Sequence, residues 1–178
     1  MRNLTDKARE AKDKKAAIGP DVDLATFTAE PVAHDYVKDL KTLPVLDRNR
    51  LIQAGIDTSE SGRSGTYIQM DTAVVHSHAK QEGLEVIPIK EALKKYEWAR
   101  EHYWKLVSVD ADKYTAAAEL NLHDGYVIRA LPGAKAVWPV QACLYLDKEN
   151  ISQYVHNLII AEEGSELHVI TCCATSPH

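Results

Sequence analysis

Two adjacent cysteines near the end of the chain, Cys172 and Cys173, carry the most distinctive chemistry in the sequence. They follow a Glu-Glu-Gly-Ser turn at 162–165 and then a short apolar run, so they are expected on a strand at the edge of a sheet. A thiolate is a soft nucleophile that binds soft metals and carries transferred sulfur as a persulfide. The pair therefore indicates metal binding or sulfur chemistry.

The alternation of side chains along a strand separates these two thiols. If the strand runs on from Glu166, Cys173 shares one face with Val169, whereas Cys172 shares the other face with Ile170. One metal ion could then not easily bind both thiols. The alternative interpretation of Cys173 is a small buried hydrophobic side chain, because free cysteine is among the most buried residue types.

The number of cysteines limits the kind of site that the chain can build. The sequence has three cysteines and no pair spaced as Cys-x-x-Cys, so a conventional four-thiolate cluster site within one chain is excluded. For the third cysteine, Cys143, a packing role is favoured. The sequence also contains no phosphate-binding loop, no dinucleotide fingerprint and no Gly-x-Ser-x-Gly elbow. We therefore do not expect an enzyme in its own right.

Histidines form a weaker candidate site. His76 and His78 lie two residues apart, so on a strand they would face the same side and could bind a metal together. Without an apparent carboxylate or third ligand, a solvated polar face is the favoured interpretation. His156 and His168 flank the 162–165 turn on strands expected to pair with each other, where we expect network or surface roles.

Composition excludes several classes of partner. With 178 residues, 45% hydrophobic and 26% charged, the chain can bury one sizeable core. A net charge of −5 gives no basic surface for nucleic acid, and no apolar run is long enough for a membrane span. An odd number of cysteines and the absence of an apolar leader favour the reducing cytoplasm.

The first part of the chain is predicted to be mainly helical. An exposed helix or a frayed tail is expected at residues 1–15. A helical apolar stripe follows at 35–43 and ends at Pro44, and another one or two helical turns are expected at 47–54. A strand rich in β-branched residues is expected at 67–76, and a long helix at 90–105.

Beyond about residue 126 the pattern changes to short strands separated by turn signals. In the run 138–146, alternating apolar residues predict a half-buried strand, with Gln141 and Cys143 on its second face. The chain is thus divided into a mainly helical region at 1–105 and a β region at 106–178, an α+β fold. Pattern alone does not distinguish a sandwich from a parallel β-helix.

Four segments resemble one known family in order and spacing. They are DTAVVHSHAKQEGLEVIPIKEALKKY at 71–96, EHYWKLV at 101–107, LNLHDGYVIRALPGAKAVWPVQACLYL at 120–146 and VHNLIIAEEGSELHVITCCATSPH at 155–178. Together they resemble the SufB/SufD proteins, the scaffold subunits of the SUF machinery for iron–sulfur cluster assembly. The first sixty or so residues carry weaker resemblance.

The resemblance implies a fold and a site. It implies that the helical region is followed by the first strands of a right-handed parallel β-helix, and that the chain is a C-terminally truncated member, a fragment of the family's full length. Cys173 matches the cysteine of the family's Gly-Cys-Ala-Thr-like motif and is the expected sulfur-handling residue. Cys172 departs from the motif, because the family often has glycine there.

The resemblance also implies a function with partners. These are a SufC-like ABC ATPase and a second SufB/SufD-like subunit, or a second copy of the chain, with an iron–sulfur cluster assembled transiently between them. Two other hypotheses remain open from the residues. One is a small mononuclear metal-binding β protein of cupin type that uses His76, His78 and a carboxylate, and the other is a structural interaction module without metal.

Overall fold

The computed structural model describes residues 3–176, so His178, where the chain ends, lies outside the described part. The described helices are α1 (Leu4–Ala11), α2 (Val45–Gln53), α3 (Ile89–Lys95), α4 (Glu97–His102) and α5 (Lys113–Leu120). The described strands are β1 (Gly65–Met70), β2 (Ala73–Ala79), β3 (Leu84–Pro88), β4 (Tyr126–Ala130), β5 (Val140–Leu146), β6 (Leu158–Ala161) and β7 (Val169–Thr175). The predicted α+β class is confirmed.

The strands form two sheets. The first has the order β2-β1-β5-β7 and the second has the order β3-β4-β6. In the first sheet β1, β5 and β7 run parallel to one another, while β2 pairs antiparallel with β1 at the edge. In the second sheet β4 and β6 are parallel, and β3 is antiparallel to β4.

From β4 onwards the chain visits the two sheets alternately. Val127 of β4 pairs with Leu158 of β6, and Val140 of β5 pairs with Val169 of β7. An isolated parallel bridge between Lys135 and Glu166 keeps the offset of β4 and β6, whereas the offset of β5 and β7 is two residues shorter. Each stretch of about thirty residues thus contributes one strand to each sheet and stacks on the previous stretch.

This alternation corrects the expected pairing across the 162–165 turn. The strands on either side of it, β6 and β7, lie in different sheets and do not pair with each other. Gly164, at φ +70°, allows the chain to turn from one sheet to the other.

Apolar side chains fill the space between the sheets and cover their outer faces. Tyr67 and Ala142 of the first sheet pack against Val86 and Ile128 of the second. The outer face of the first sheet is covered by Leu40, Leu43, Leu51 and Ile56, which come from α2 and the segments beside it. The outer face of the second sheet is covered by Ile89, Ala92 and Ala99 of α3 and α4.

Strand β5 is therefore buried on both faces, and the expected half-buried strand is wrong. Gln141 and Cys143, on the face that was expected to be less covered, are 1% and 0% exposed. Sequence alternation did not reveal this because the covering residues come from the segment 40–56, far away in the chain.

The long helix expected at 90–105 is interrupted. Tyr96 adopts an extended conformation, with φ −121° and ψ 127°, and separates α3 from α4. The break lets Tyr96 stack on Trp98, whose ring lies 4.2 Å from the Arg129 guanidinium on β4. Leu106, which directly follows the expected helix, is 98% exposed.

Two other helix predictions differ from the structure. The stripe at 35–43 forms only a short 3₁₀ turn at Leu40–Thr42, because the N–H of Val37 donates to the Val75 carbonyl oxygen of β2 at 2.8 Å instead of to a helical partner. The N-terminal helix α1 is confirmed, but Ala8 and Ala11 are buried against α5.

Helix α5 was not anticipated, although the sequence carries its start signal. Asp112 accepts hydrogen bonds from the N–H groups of Tyr114 and Thr115, both at 2.9 Å, and its own N–H donates to the Thr115 hydroxyl oxygen at 3.1 Å. This reciprocal capping box fixes the first turn of the helix.

Where one strand was predicted at 67–76, the structure has a hairpin. Asp71, at φ +48°, and Thr72 form the turn between β1 and β2. Aspartate tolerates this left-handed conformation better than most residues, which explains why a β-branched run reverses direction here.

The buried Asp71 carboxylate ties the hairpin turn to two other segments. One oxygen accepts hydrogen bonds from the N–H groups of Asp147 and Lys148, at 2.8 and 3.1 Å. The other lies 2.9 Å from Nε2 of His34. A hydrogen-bonded buried carboxylate is costly to remove, because its donors lose their partner.

None of the helices in the described residues is long and apolar enough to cross a lipid bilayer.

Replacing Asp71 by alanine should lower the free energy of unfolding by roughly 3 kcal/mol, because three donors lose an acceptor and alanine disfavours positive φ. Asp71→Asn keeps an oxygen for the two N–H donors and tolerates the turn, so it should lose less. Urea unfolding followed by circular dichroism measures both variants. A loss below about 0.5 kcal/mol for Asp71→Ala would show that the carboxylate does not hold these segments.

Candidate functional site

The candidate site lies on β7, which pairs with β5 on one side and has no strand on its other side among residues 3–176. Cys173 is exposed and stands in register with Leu144 of β5. It lies on the side of the sheet that faces the inter-sheet core, as Val169 does. Burial raises the pKa of the nearby Tyr126, and the charge of the Cys173 thiolate raises it further.

Cys172 lies on the opposite face of β7, so the predicted alternation separates the two adjacent thiols as expected. It is half-buried and packs beside Ala174 against the cluster that covers the outer face of the first sheet. Its register partner on β5 is the fully buried Cys143.

The pairing of β5 with β7 brings Cys143 and Cys172 together, a contact that the local sequence does not indicate. Hydrogen bonding to Cys172, together with burial, raises the pKa of the Cys143 thiol. The same hydrogen bond lowers the pKa of Cys172 below the usual 9.0, although burial opposes it. An alignment of the run at 140–146 with the run at 169–175 would have revealed the pair.

Cys173 has the opposite electrostatic environment. Burial raises the pKa of its thiol above 9.0, and the neighbouring Cys172 raises it further. All three thiols are free. At neutral pH, Cys172 is therefore the thiol with the larger thiolate fraction, and Cys173 is the one that solvent reaches most easily.

His76 is buried, which contradicts the favoured interpretation of a solvated face. Its Nδ1 lies 2.9 Å from the Val37 carbonyl oxygen, and its Nε2 lies 3.4 Å from Oε1 of Glu60. Among residues 3–176, neither of these two buried atoms has another hydrogen-bonding partner. His78 is exposed, and its ring centroid lies 6.4 Å from that of His76.

The pair of His76 and Glu60 favours charged forms. Burial alone would lower the pKa of His76, but Glu60 and the Val37 carbonyl outweigh it, so the pKa lies above the usual 6.5. Burial alone would raise the pKa of Glu60, but His76 and Thr66 outweigh it, so the pKa lies below the usual 4.5. This pair fastens the loop around Glu60 and the segment at Val37 to β2.

In the part of the chain that the structure describes, no three or more histidine, cysteine or acidic side chains are grouped so that they could hold a metal ion. His76 already uses Nδ1 for the Val37 carbonyl. No observation therefore favours the cupin-type hypothesis.

His156 and His168 lie in different environments. The ring of His156 packs edge-on against Tyr103 and Trp104, at centroid distances of 4.6 and 4.4 Å, and burial lowers its pKa. Both aromatic residues donate to the Glu119 carboxylate, at 2.7 and 2.8 Å. His168 is exposed on the connection to β7.

No protein-family model matches the chain. It is similar to curated relatives described as iron–sulfur cluster assembly SufBD family proteins. One from Methanothermobacter thermautotrophicus strain Delta H is 41% identical over 180 residues, which cover 98% of this chain and 44% of the relative. One from Archaeoglobus fulgidus is 46% identical over 132 residues, covering 74% of this chain and 36% of the relative.

A relative from Bacillus subtilis, described as the iron–sulfur cluster assembly protein SufB, is 29% identical over 119 residues, covering 64% of this chain and 25% of that protein. The chain thus spans less than half the length of these curated relatives.

Alkylation should distinguish the three thiols. As pH rises, the labelling rate of Cys172 should reach half its maximum below pH 9.0, and that of Cys173 above it, because their pKa values are shifted in opposite directions. Cys143 should be labelled only after unfolding. Iodoacetamide labelling followed by peptide mass spectrometry measures all three sites. Labelling of Cys143 as fast as Cys173 would contradict the described burial.

The His76–Glu60 pair should make stability depend on pH. The contribution of His76 to folding stability is present below pH 6.5 and is lost as pH rises through its raised pKa. The contribution of Glu60 to folding stability is present above pH 4.5 and is lost as pH falls through its lowered pKa. The coupling should be about 1–2 kcal/mol near pH 5.5 and smaller near pH 8.5.

A double-mutant cycle with His76→Gln and Glu60→Gln measures this coupling by urea unfolding at both pH values. His78→Gln is the matched control, because His78 is exposed on the same strand. A coupling that is equal at the two pH values would mean that the pair is not ionised in the folded protein.

Proposed function

The chain belongs to the SufBD family of iron–sulfur cluster assembly proteins, and we propose that it acts as part of a scaffold on which sulfur and iron are brought together. The observation that carries this proposal is similarity over nearly the whole chain, combined with an exposed thiol at Cys173 on an outer strand. A scaffold must present its sulfur acceptor where a donor can reach it.

We propose Cys173 as the sulfur-handling residue. Its thiolate attacks the terminal sulfur of a donor persulfide, so that Cys173 becomes the persulfide and the donor leaves as a thiol. The raised pKa means that this thiol must first lose its proton to the donor or to solvent. Iron and the cluster built from it are then cargo of the assembly reaction.

We further propose that the strands from β4 to β7 belong to a right-handed parallel β-helix. Three features support this arrangement: strands visit two sheets alternately, successive strands within each sheet are parallel, and the offset between paired strands is similar in both sheets. Crossovers between parallel strands in one sheet are right-handed in nearly all proteins. The edge of β7 would accept the next strand of such a solenoid.

The proposed partners are a SufC-like ABC ATPase and a second SufB/SufD-like subunit or a second copy of this chain. The sequence has no phosphate-binding loop of its own, so an ATPase step would come from another subunit. We also propose that the chain acts as a scaffold without enzymatic activity of its own and that it works in the cytoplasm. An odd number of cysteines suits that compartment.

Anaerobic reconstitution tests this function. The purified chain is mixed with ferrous iron, a persulfide donor and a dithiol that reduces sulfane sulfur to sulfide, and bound iron and acid-labile sulfide are compared with those of Cys173→Ser. We expect Cys173→Ser to lose most of both, because serine cannot carry sulfur. The matched control is a Cys143→Ala/Cys172→Ser double variant, which keeps Cys173 as its single cysteine and should still form a persulfide there.

Equal iron and sulfide in the parent and Cys173→Ser would overturn the role of Cys173. If neither protein retains iron or sulfide, the described part of the family fold does not handle sulfur on its own.

A further inference from the structure

A second thiol site is formed by Cys143 and Cys172, on the face of the first sheet opposite Cys173. The two cysteines come from successive stretches of about thirty residues and are brought together by the register of β5 and β7. The proposed function uses Cys173 and leaves this pair without a role.

The spacing of the pair fits covalent chemistry. Neighbouring strands lie about 4.8 Å apart, and the Cα atoms of a disulfide are usually about 4.4–6.8 Å apart. Register partners on parallel strands point to the same side, so the two sulfur atoms face the same apolar cluster as Val37 and Ala54. Strand β7 is held on one side only among the described residues, so it can adjust its distance from β5 as a bond forms.

The two thiols are prepared for different steps. Cys172 is half-buried and has a lowered pKa, so it is the nucleophile that an external donor meets. Cys143 is fully buried beside Cys172 and has a raised pKa, so it keeps its proton. Its apolar surroundings keep it from reacting with solvent oxidants directly.

We propose that Cys172 and Cys143 form a dithiol that accepts one sulfane sulfur atom and releases it as sulfide. This inference rests on the proposed function, because sulfide is the form in which sulfur enters an iron–sulfur cluster. Cys172 is the accepting residue and Cys143 is the resolving residue.

The first step is transfer of sulfur. The Cys172 thiolate attacks the terminal sulfur of a donor persulfide, a new S–S bond forms on Cys172, and the donor leaves as a thiolate. No net oxidation of the protein occurs, because one persulfide replaces another.

The second step releases sulfide. The Cys143 sulfur attacks Sγ of Cys172, the bond to the outer sulfur breaks, and hydrosulfide leaves with the proton of the Cys143 thiol as hydrogen sulfide. The sulfane sulfur is reduced by two electrons, and the two thiols are oxidised to a disulfide. A dithiol reductant of the cell then returns the pair to its reduced form.

The position of Cys173 makes it the natural control. It adjoins Cys172 in sequence but lies on the other face of β7, towards Leu144 and the inter-sheet core. A disulfide between adjacent residues of a continuous strand would require the strand to distort. Sulfide release through the dithiol should therefore not depend on Cys173.

The experiment uses the reduced full chain, freed of added thiols, with glutathione persulfide as the donor. Released sulfide is measured by methylene blue, and disulfides are located by peptide mass spectrometry. The parent should release about one sulfide per chain and form a Cys143–Cys172 disulfide, the stoichiometry of one dithiol. Cys173→Ser should behave in the same way.

Two variants separate the steps. Cys143→Ala should accumulate a persulfide on Cys172 and lose at least about tenfold in sulfide release, because no resolving thiol is adjacent. Cys172→Ala should form neither the persulfide at this position nor the disulfide. Cys172 is half-buried, so this variant keeps the proposal testable even if changing the core residue Cys143 prevents folding.

Sulfide release from Cys143→Ala at the parent rate, or a disulfide that joins Cys173 instead, would overturn the proposal. The outcomes are distinct from those of reconstitution. If the dithiol is absent but the proposed function holds, Cys143→Ala still retains iron and sulfide through Cys173. If the proposed function fails and the dithiol exists, Cys173→Ser still releases sulfide.

Discussion

The parallel register between successive stretches of chain determines the rest of this structure. Because β5 and β7 are aligned with Val140 opposite Val169, Leu144 stands beside Cys173 and Cys143 stands beside Cys172. A shift of one residue would move every side chain of β7 to the other face of the sheet. Such a shift is costly because β5 is buried on both faces, where Gln141 and Cys143 are almost completely shielded from solvent. The chemistry of the cysteines is therefore a consequence of sheet register more than of the local sequence around them.

Local signals in the sequence predicted individual helices and strands better than the remote segments that pack against them. The α+β class, α1, α2, the strand at β5 and the alternation of Cys172 and Cys173 could all be read from spacing. The aromatic stack beside the interruption at Tyr96 packs on Arg129, which is remote in sequence and lies against the Trp98 ring. Alternation along β5 predicted two faces but not that α2 and its neighbours cover the second one. The contact between Cys143 and Cys172 can be predicted only after the repeated pairing of strands along the chain is known.

Polar groups buried beneath the N-terminal segments explain how these segments stay attached to the sheets. The Asp71 carboxylate accepts hydrogen bonds from two N–H groups of the segment after β5 and contacts the ring of His34. The ring of His76 contacts the Val37 carbonyl oxygen and the Glu60 carboxylate. Such contacts are directional, so they fix where a segment lies, whereas apolar contacts with Leu40 and Leu51 provide most of the burial. The segments before β1 thus combine a hydrophobic cover with a small number of specific anchors.

The long sequence separation between β1 and β5 affects how the protein folds during its synthesis. Gly65 pairs with Val140, which is synthesised much later, so the central pair of the first sheet cannot assemble until β5 has left the ribosome. At about 5–20 residues per second, β1 waits roughly 4–15 seconds during translation with one edge open. Its apolar residues Tyr67 and Ile68, fully buried in the final structure, are exposed during that interval. Non-local pairing of this kind is slow, which leaves the unpaired edge of β1 open to pairing with other chains before β5 arrives.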